Sequence, residues 1–166
     1  MVAQLKSLRG AGLVGVFLCS ICLPIVGCSY KDKPPADWQK IDAGAFSLYA
    51  PRGWKFHKKQ GIDSFVGEIA GDGVVLSFDF GQFSNSLSEA RKPSYVVAHE
   101  LIHGSEAKIV SPRTPGHGMT AIYFPNVPRF LKADNKLCLV GNDLTAAQQE
   151  VALRIFRTIR FKGLGS

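Results

Sequence analysis

Cysteine is scarce in this chain, and its placement leaves nothing for a disulfide. Of the four cysteines, Cys19 and Cys22 fall in an N-terminal apolar stretch, Cys28 ends that stretch, and only Cys138 lies in the body of the sequence. If the stretch is a removable leader, the Cys19-x-x-Cys22 spacing carries no redox or metal meaning. Cys138 sits in Leu137-Cys138-Leu139-Val140, the setting of a buried thiol rather than a reactive one. Charge is also undramatic. Lys+Arg number 20 and Asp+Glu 13, with no long block of one sign, which excludes the concentrated basic footprint of a nucleic-acid binder. Internal repeats and a Ser/His/Asp nucleophile elbow are absent. Gly71-Asp72-Gly73 and Gly116-His117-Gly118 lack the strand-to-helix setting of a phosphate loop and read as turns. The apolar run from Ala11 to Val26 is short for a membrane-spanning helix.

That run has another use. Lys6 and Arg9 precede it, no charge interrupts it, and Ile25-Val26-Gly27-Cys28 closes it. These are the charged, apolar and small-residue regions of a secretory signal, ended in the form of a bacterial lipobox. A signal peptidase needs apolar side chains upstream and small Gly27 at the scissile bond, while a lipid transferase needs the Cys28 thiol. The expected organisation is a signal peptide over 1–27, a lipidated N-terminus and tether over 28–37, and one domain over 38–166. Removing 27 of 166 residues leaves 139, enough to bury a core without staples. Lys6 and Arg9 leave with the leader, so 18 basic residues face 13 acidic ones, a surplus suited to anionic headgroups near the anchor. The tether, Ser29 to Asp37, is polar and carries Pro34-Pro35, hence extended. Ser29 after Cys28 favours an outer membrane where the host has two. The location implied is the cell envelope, membrane-anchored and facing the periplasm or exterior.

Past Trp38, short apolar stretches are broken by Gly, Pro and Asp. Alternation predicts a strand over 46–50 with Phe46, Leu48 and Ala50 on one face, then a turn at Pro51-Arg52-Gly53-Trp54. Residues 64–70 and 74–80 predict a hairpin across Gly71-Asp72-Gly73, with Asp79 facing away from the core. A polar loop with one helical turn near 87–91 follows. Further strands are expected over 119–124 and 136–140, the loop between them carrying Pro125, Pro128 and Arg129. The clearest helix runs from Thr145 to about Thr158. Thr145 and Gln148 can form a capping box, Ala147, Val151, Ile155 and Ile159 make an inward stripe, and Arg154, Arg157 and Arg160 form a late basic row that reads as solvated surface. Strands with few helices imply an α+β fold, an antiparallel β-sheet packed against helices with a capped C-terminal helix.

Phe46-x-Leu48-x-x-Pro51-x-Gly53-Trp54 and Ala152-x-x-Ile155-x-x-Thr158-Ile159-Arg160-Phe161 resemble the opening and closing of PsbP-like domains. The resemblance implies a PsbP-like sandwich, and a binding or assembly module rather than an enzyme. No functional residue of that family has a counterpart to carry over. The partner implied is the membrane through the lipid, and beyond it an envelope protein or small ligand, with no nucleic acid and no cofactor.

One motif points elsewhere. His99-Glu100-Leu101-Ile102-His103 fits HExxH, in which a helix brings two imidazoles to Zn²⁺ and the Glu acts as general base. Ser94 could cap such a helix and Gly104 end it. This alternative makes the chain a zinc-dependent metallopeptidase with His99 and His103 as metal ligands and Glu100 catalytic. It lacks a placed third ligand: the position six residues after His103 is Ile109, and His117, Asp134, Asp143 and Glu150 sit in no recognised context. The stretch also reads as a β-hairpin, with Tyr95-Val96-Val97 and Ile102 as strand formers, His103-Gly104 as the turn and 107–110 returning. A strand puts Glu100 on the face opposite His99. The expectation is the strand, without catalytic zinc.

Overall fold

The computed structural model describes residues 33–127 and 135–162. The leader, Cys28, the first part of the tether, Pro128, Arg129 and Asp134 lie outside the described residues. Among the described residues ten strands occur in chain order: β1 (Trp38–Asp42), β2 (Phe46–Pro51), β3 (Lys55–Lys58), β4 (Phe65–Gly71), β5 (Val74–Gly81), β6 (Tyr95–Ile102), β7 (Ser105–Pro112), β8 (Met119–Val127), β9 (Asn135–Asn142) and β10 (Arg160–Phe161). Among the same residues one α-helix, α1 (Ala146–Phe156), precedes β10, and a 3-10 turn spans Ser88–Arg91. The class is α+β. Among the described residues no helix is long and apolar enough to cross a membrane.

Seven strands form one antiparallel sheet in the order β3-β4-β5-β9-β8-β7-β6, and β1-β2-β10 form a second. Two hairpins rest on paired positive-φ residues. Asp72 (φ 51) and Gly73 (φ 74) join β4 to β5, and His103 (φ 47) and Gly104 (φ 83) join β6 to β7. Both φ > 0 is the type I′ turn, whose twist matches that of the strands it connects.

The three-stranded sheet and α1 share one face of the larger sheet. Phe46, Leu48 and Ala50 from β2 meet Ile69, Leu76, Phe78, Leu139, Ile122 and Phe124 from the large sheet, with Ile155 and Phe156 closing the core from α1. Phe46 meets Phe78 edge to face at 5.1 Å, and Phe124 meets Phe161 likewise at 5.0 Å. Each such fully buried side chain contributes roughly 1.5–3 kcal/mol. Gly67 is the close approach in this packing, because a Cβ there would fall 2.7 Å from the Phe78 ring and 2.8 Å from that of Phe56.

The opposite face is partly covered by the segment after β5. Lys108 Nζ donates to Ser86 O at 3.1 Å and Leu87 O at 2.6 Å, holding Leu87 and Ala90 over Val110, Ala121, Tyr123 and Cys138. Burial pushes the Cys138 thiol up to about 12, with the carboxylates of Asp79 and Glu89 adding to the effect. Asp79 does face away from the main core, yet its Oδ1 is buried without a hydrogen-bond partner among the described residues.

α1 begins with a capping box. Gln148 N donates to Thr145 Oγ1 and Thr145 N to Gln148 Oε1. Its buried stripe is Ala152, Ile155 and Phe156, not Ala147–Val151–Ile155–Ile159. Ala147 is exposed in the first turn and Val151 half-buried. Ile159 is buried beyond the helix end, because Thr158 Oγ1 donates to Ile155 O and accepts from Tyr49 N, turning the chain into β10 against β2.

Candidate functional site

Two places are candidates for a functional site, the HExxH segment and a groove at one end of the large sheet. β6 makes the first a strand. Its register runs Tyr95↔Pro112 through Ile102↔Ser105, and the β-branched start and His-Gly turn account for it. Glu100 therefore lies on the α1 side, where Arg157 clamps it: Nη2 to Oε1 at 2.7 Å and Nε to Oε2 at 2.9 Å. His99 lies exposed on the other face, opposite Lys108 of β7, and His103 is drawn into the turn. The helix-borne arrangement that would let Glu100 activate water on a metal between the two imidazoles is not formed.

Among the described residues the third-ligand candidates do not approach. His117 is exposed in the loop before β8, at the far end of the sheet from His103, so the length of β6 (~25 Å) separates them. Asp143 is committed to that loop, its Oδ1 accepting from Gly118 N at 2.7 Å. Glu150 stands exposed on α1. Among the described residues no three His, Cys, Asp or Glu side chains are grouped to hold a metal ion. The basic row also disperses. Arg157 is in the Glu100 pair, Arg154 stacks over the Trp38 ring at 5.2 Å, and Arg160 is exposed.

The groove is built by residues distant in sequence. The β3–β4 loop supplies Gln60, Gly61, Ile62, Asp63 and Ser64, while Lys58, Phe65, Phe80, Gln82 and Asn135 come from the adjoining strands and loops. Its volume is about 700 Å³. Half-buried Phe65 is its apolar wall, and Phe80, its partner in the β4–β5 register, backs it from the core at 6% exposure. Gly81 lets the loop lie close, since a Cβ there would fall 2.6 Å from Ser64 Cβ. Lys58 Nζ lies 5.9 Å from the Phe65 centroid, a cation over the aromatic wall. Lys59 pairs with Glu68 at 3.0 Å. Ile62 is fully exposed and Phe83, next to Gln82, is 78% exposed, so large apolar side chains project where the loops end. Nothing local in the sequence marks this groove. Phe65 and Phe80 read as core alternation until the register sets them at an open end.

The chain enters the domain at the opposite end. Trp38 pairs with Pro51, and beyond the turn that follows, Trp54 Nε1 donates to Asp72 Oδ2 in the β4–β5 turn at 2.8 Å. The groove opens at the other ends of β4 and β5. No family model, curated protein or solved structure matches the chain.

Proposed function

We propose that the chain is a lipid-anchored cell-envelope protein whose domain works as a non-catalytic binding module, with the groove between the β3–β4 loop and Phe80 as its ligand surface. The groove carries the reading. Phe65, backed by Phe80, offers an apolar wall, Lys58 a cation beside it, and Gln60, Ser64 and Gln82 hydrogen-bonding groups around it, with Asp63 on the loop as the carboxylate of the lining. That combination suits a small anionic amphiphile. The Ile25-Val26-Gly27-Cys28 motif supports the tether. The layered arrangement, with α1 and a small sheet on one face of the large one, supports a PsbP-like sandwich.

The test is fluorescence titration of the domain from Ser29 with a fluorescent fatty acid. Saturable binding is expected, weakened about ten-fold by Lys58→Glu, which corresponds to ~1.4 kcal/mol, with unchanged thermal unfolding. No saturable binding, or equal binding by the variant, would overturn the groove as ligand surface.

A further inference from the structure

The two edges of the large sheet are treated differently. β3 is four residues long and carries exposed Lys55, His57 and Lys58, the charged, short form that discourages strand addition. β6 is eight residues long, has no Pro or Gly, and has no strand on its outer side among the described residues. Its one formal charge, Glu100, is neutralised by Arg157. Val96, Val97 and Leu101 are 43%, 40% and 72% exposed.

The hairpin shows which backbone groups β6 leaves open. In a two-residue type I′ hairpin the closing pair, here Ile102 and Ser105, exchanges both hydrogen bonds, and alternate residues then do the same. Even-numbered residues of β6 thus bond to β7, and the ladder continues to Ser94, whose carbonyl accepts from Arg113 N at 2.9 Å. The N–H and C=O groups of Val97, His99 and Leu101 point to the open edge. Tyr95 N is engaged by Lys92 O at 3.1 Å, which limits the free edge to those three.

We infer that β6 pairs antiparallel with β6 of a second copy of this chain, about a two-fold axis through His99, joining the two large sheets into one. A two-fold axis perpendicular to the sheet pairs residues of the same face, so the register is set by the residue on the axis. Centring on Val97 or Ala98 would require the Tyr95 N–H that Lys92 already holds. Centring on Glu100 would set two carboxylates opposite each other. Centring on His99 uses only the three open residues, with about six ladder hydrogen bonds. It sets Leu101, the most exposed side chain of β6, against Val97 of the second copy, and Val96 against Ile102. Every exposed apolar side chain of the strand gains an apolar partner, which is the self-complementarity an isologous contact needs. The inference does not depend on the groove or the lipid.

Cysteine cross-linking of the full-length chain in whole cells, whether or not it is membrane-bound, tests the register. Paired residues in such a ladder place their Cα atoms about 5.5 Å apart, within disulfide reach. His99→Cys should give a disulfide dimer under mild oxidation with copper phenanthroline. Val97→Cys and Leu101→Cys should each fail alone, their equivalent positions lying about 14 Å apart, but link when co-expressed. Cys138 is silent, buried at 3% exposure, and the wild-type chain oxidised in parallel sets the background from Cys19, Cys22 and Cys28. Adding Leu101→Lys to His99→Cys should cut the dimer at least about five-fold. The inference is overturned if His99→Cys gives no dimer above wild type. It is equally overturned if the single Val97→Cys or Leu101→Cys variants link as well as His99→Cys, or if His99→Cys links instead to a protein of different size.

Discussion

Glu100→Gln separates a structural carboxylate from a catalytic one. Glu100 sits 57 residues before Arg157 and meets it through two parallel hydrogen bonds, 2.7 and 2.9 Å long. The Glu100 and Arg157 side chains are 31% and 25% exposed. A fully exposed pair is worth ~0.2–1 kcal/mol, and removing one partner of a buried pair costs ~3–5 kcal/mol. Partial exposure screens this pair, but bidentate geometry strengthens it. Glu100→Gln is therefore expected to cost about 1–2 kcal/mol, read by urea unfolding followed through Trp38 and Trp54 fluorescence. A double-mutant cycle with Arg157→Met should return a coupling of about 1 kcal/mol, smaller in 1 M salt. If Glu100→Gln left the unfolding midpoint unchanged yet removed a zinc-dependent hydrolytic activity, the strand placement of Glu100 and everything drawn from it would be wrong.

Ile155→Ala should destabilise the domain by about 2–5 kcal/mol, since Ile155 is fully buried beneath α1; a loss below about 0.5 kcal/mol in the same urea assay would place the helix outside the core. Cys138 should resist maleimide at neutral pH until the domain unfolds, because it is buried and its thiol is pushed up to about 12. A raised folded pKa keeps the proton on the native thiol while the unfolded one loses it. Stability is thus fully present below about 9 and declines as pH rises toward 12, by up to ~1.4 kcal/mol per pH unit. Cys138→Ala should reduce that alkaline slope in urea unfolding measured across the range, and an unchanged slope would refute the assignment.

Much of the fold is legible where local signals agree. The β4–β5 hairpin follows from flanking alternation and Asp72-Gly73, and α1 from Thr145 and Gln148. In strand β6 a specific motif competes with local propensity, and Tyr95-Val96-Val97 with His103-Gly104 favour the hairpin. β1 and β3 carried little signal. Lys55-Phe56-His57-Lys58 has one apolar residue and is held as a strand by pairing with β4, and Trp38–Asp42 is held by β2. The inward stripe of α1 differs from the expected one because helical spacing fits Ala147 and Ile159 equally well, while tertiary packing selects Phe156. The groove and the Glu100–Arg157 clamp join residues far apart in the chain, so no local pattern could reveal them.

That the domain works from a lipid tether is best tested by mass spectrometry of the mature N-terminus, using full-length chain extracted from membranes. The expected N-terminal residue is Cys28 carrying a thioether-linked diacylglyceryl group, lost together with processing in Cys28→Ala. A mature chain that retains residues 1–27, or that begins elsewhere without lipid, would contradict the tether.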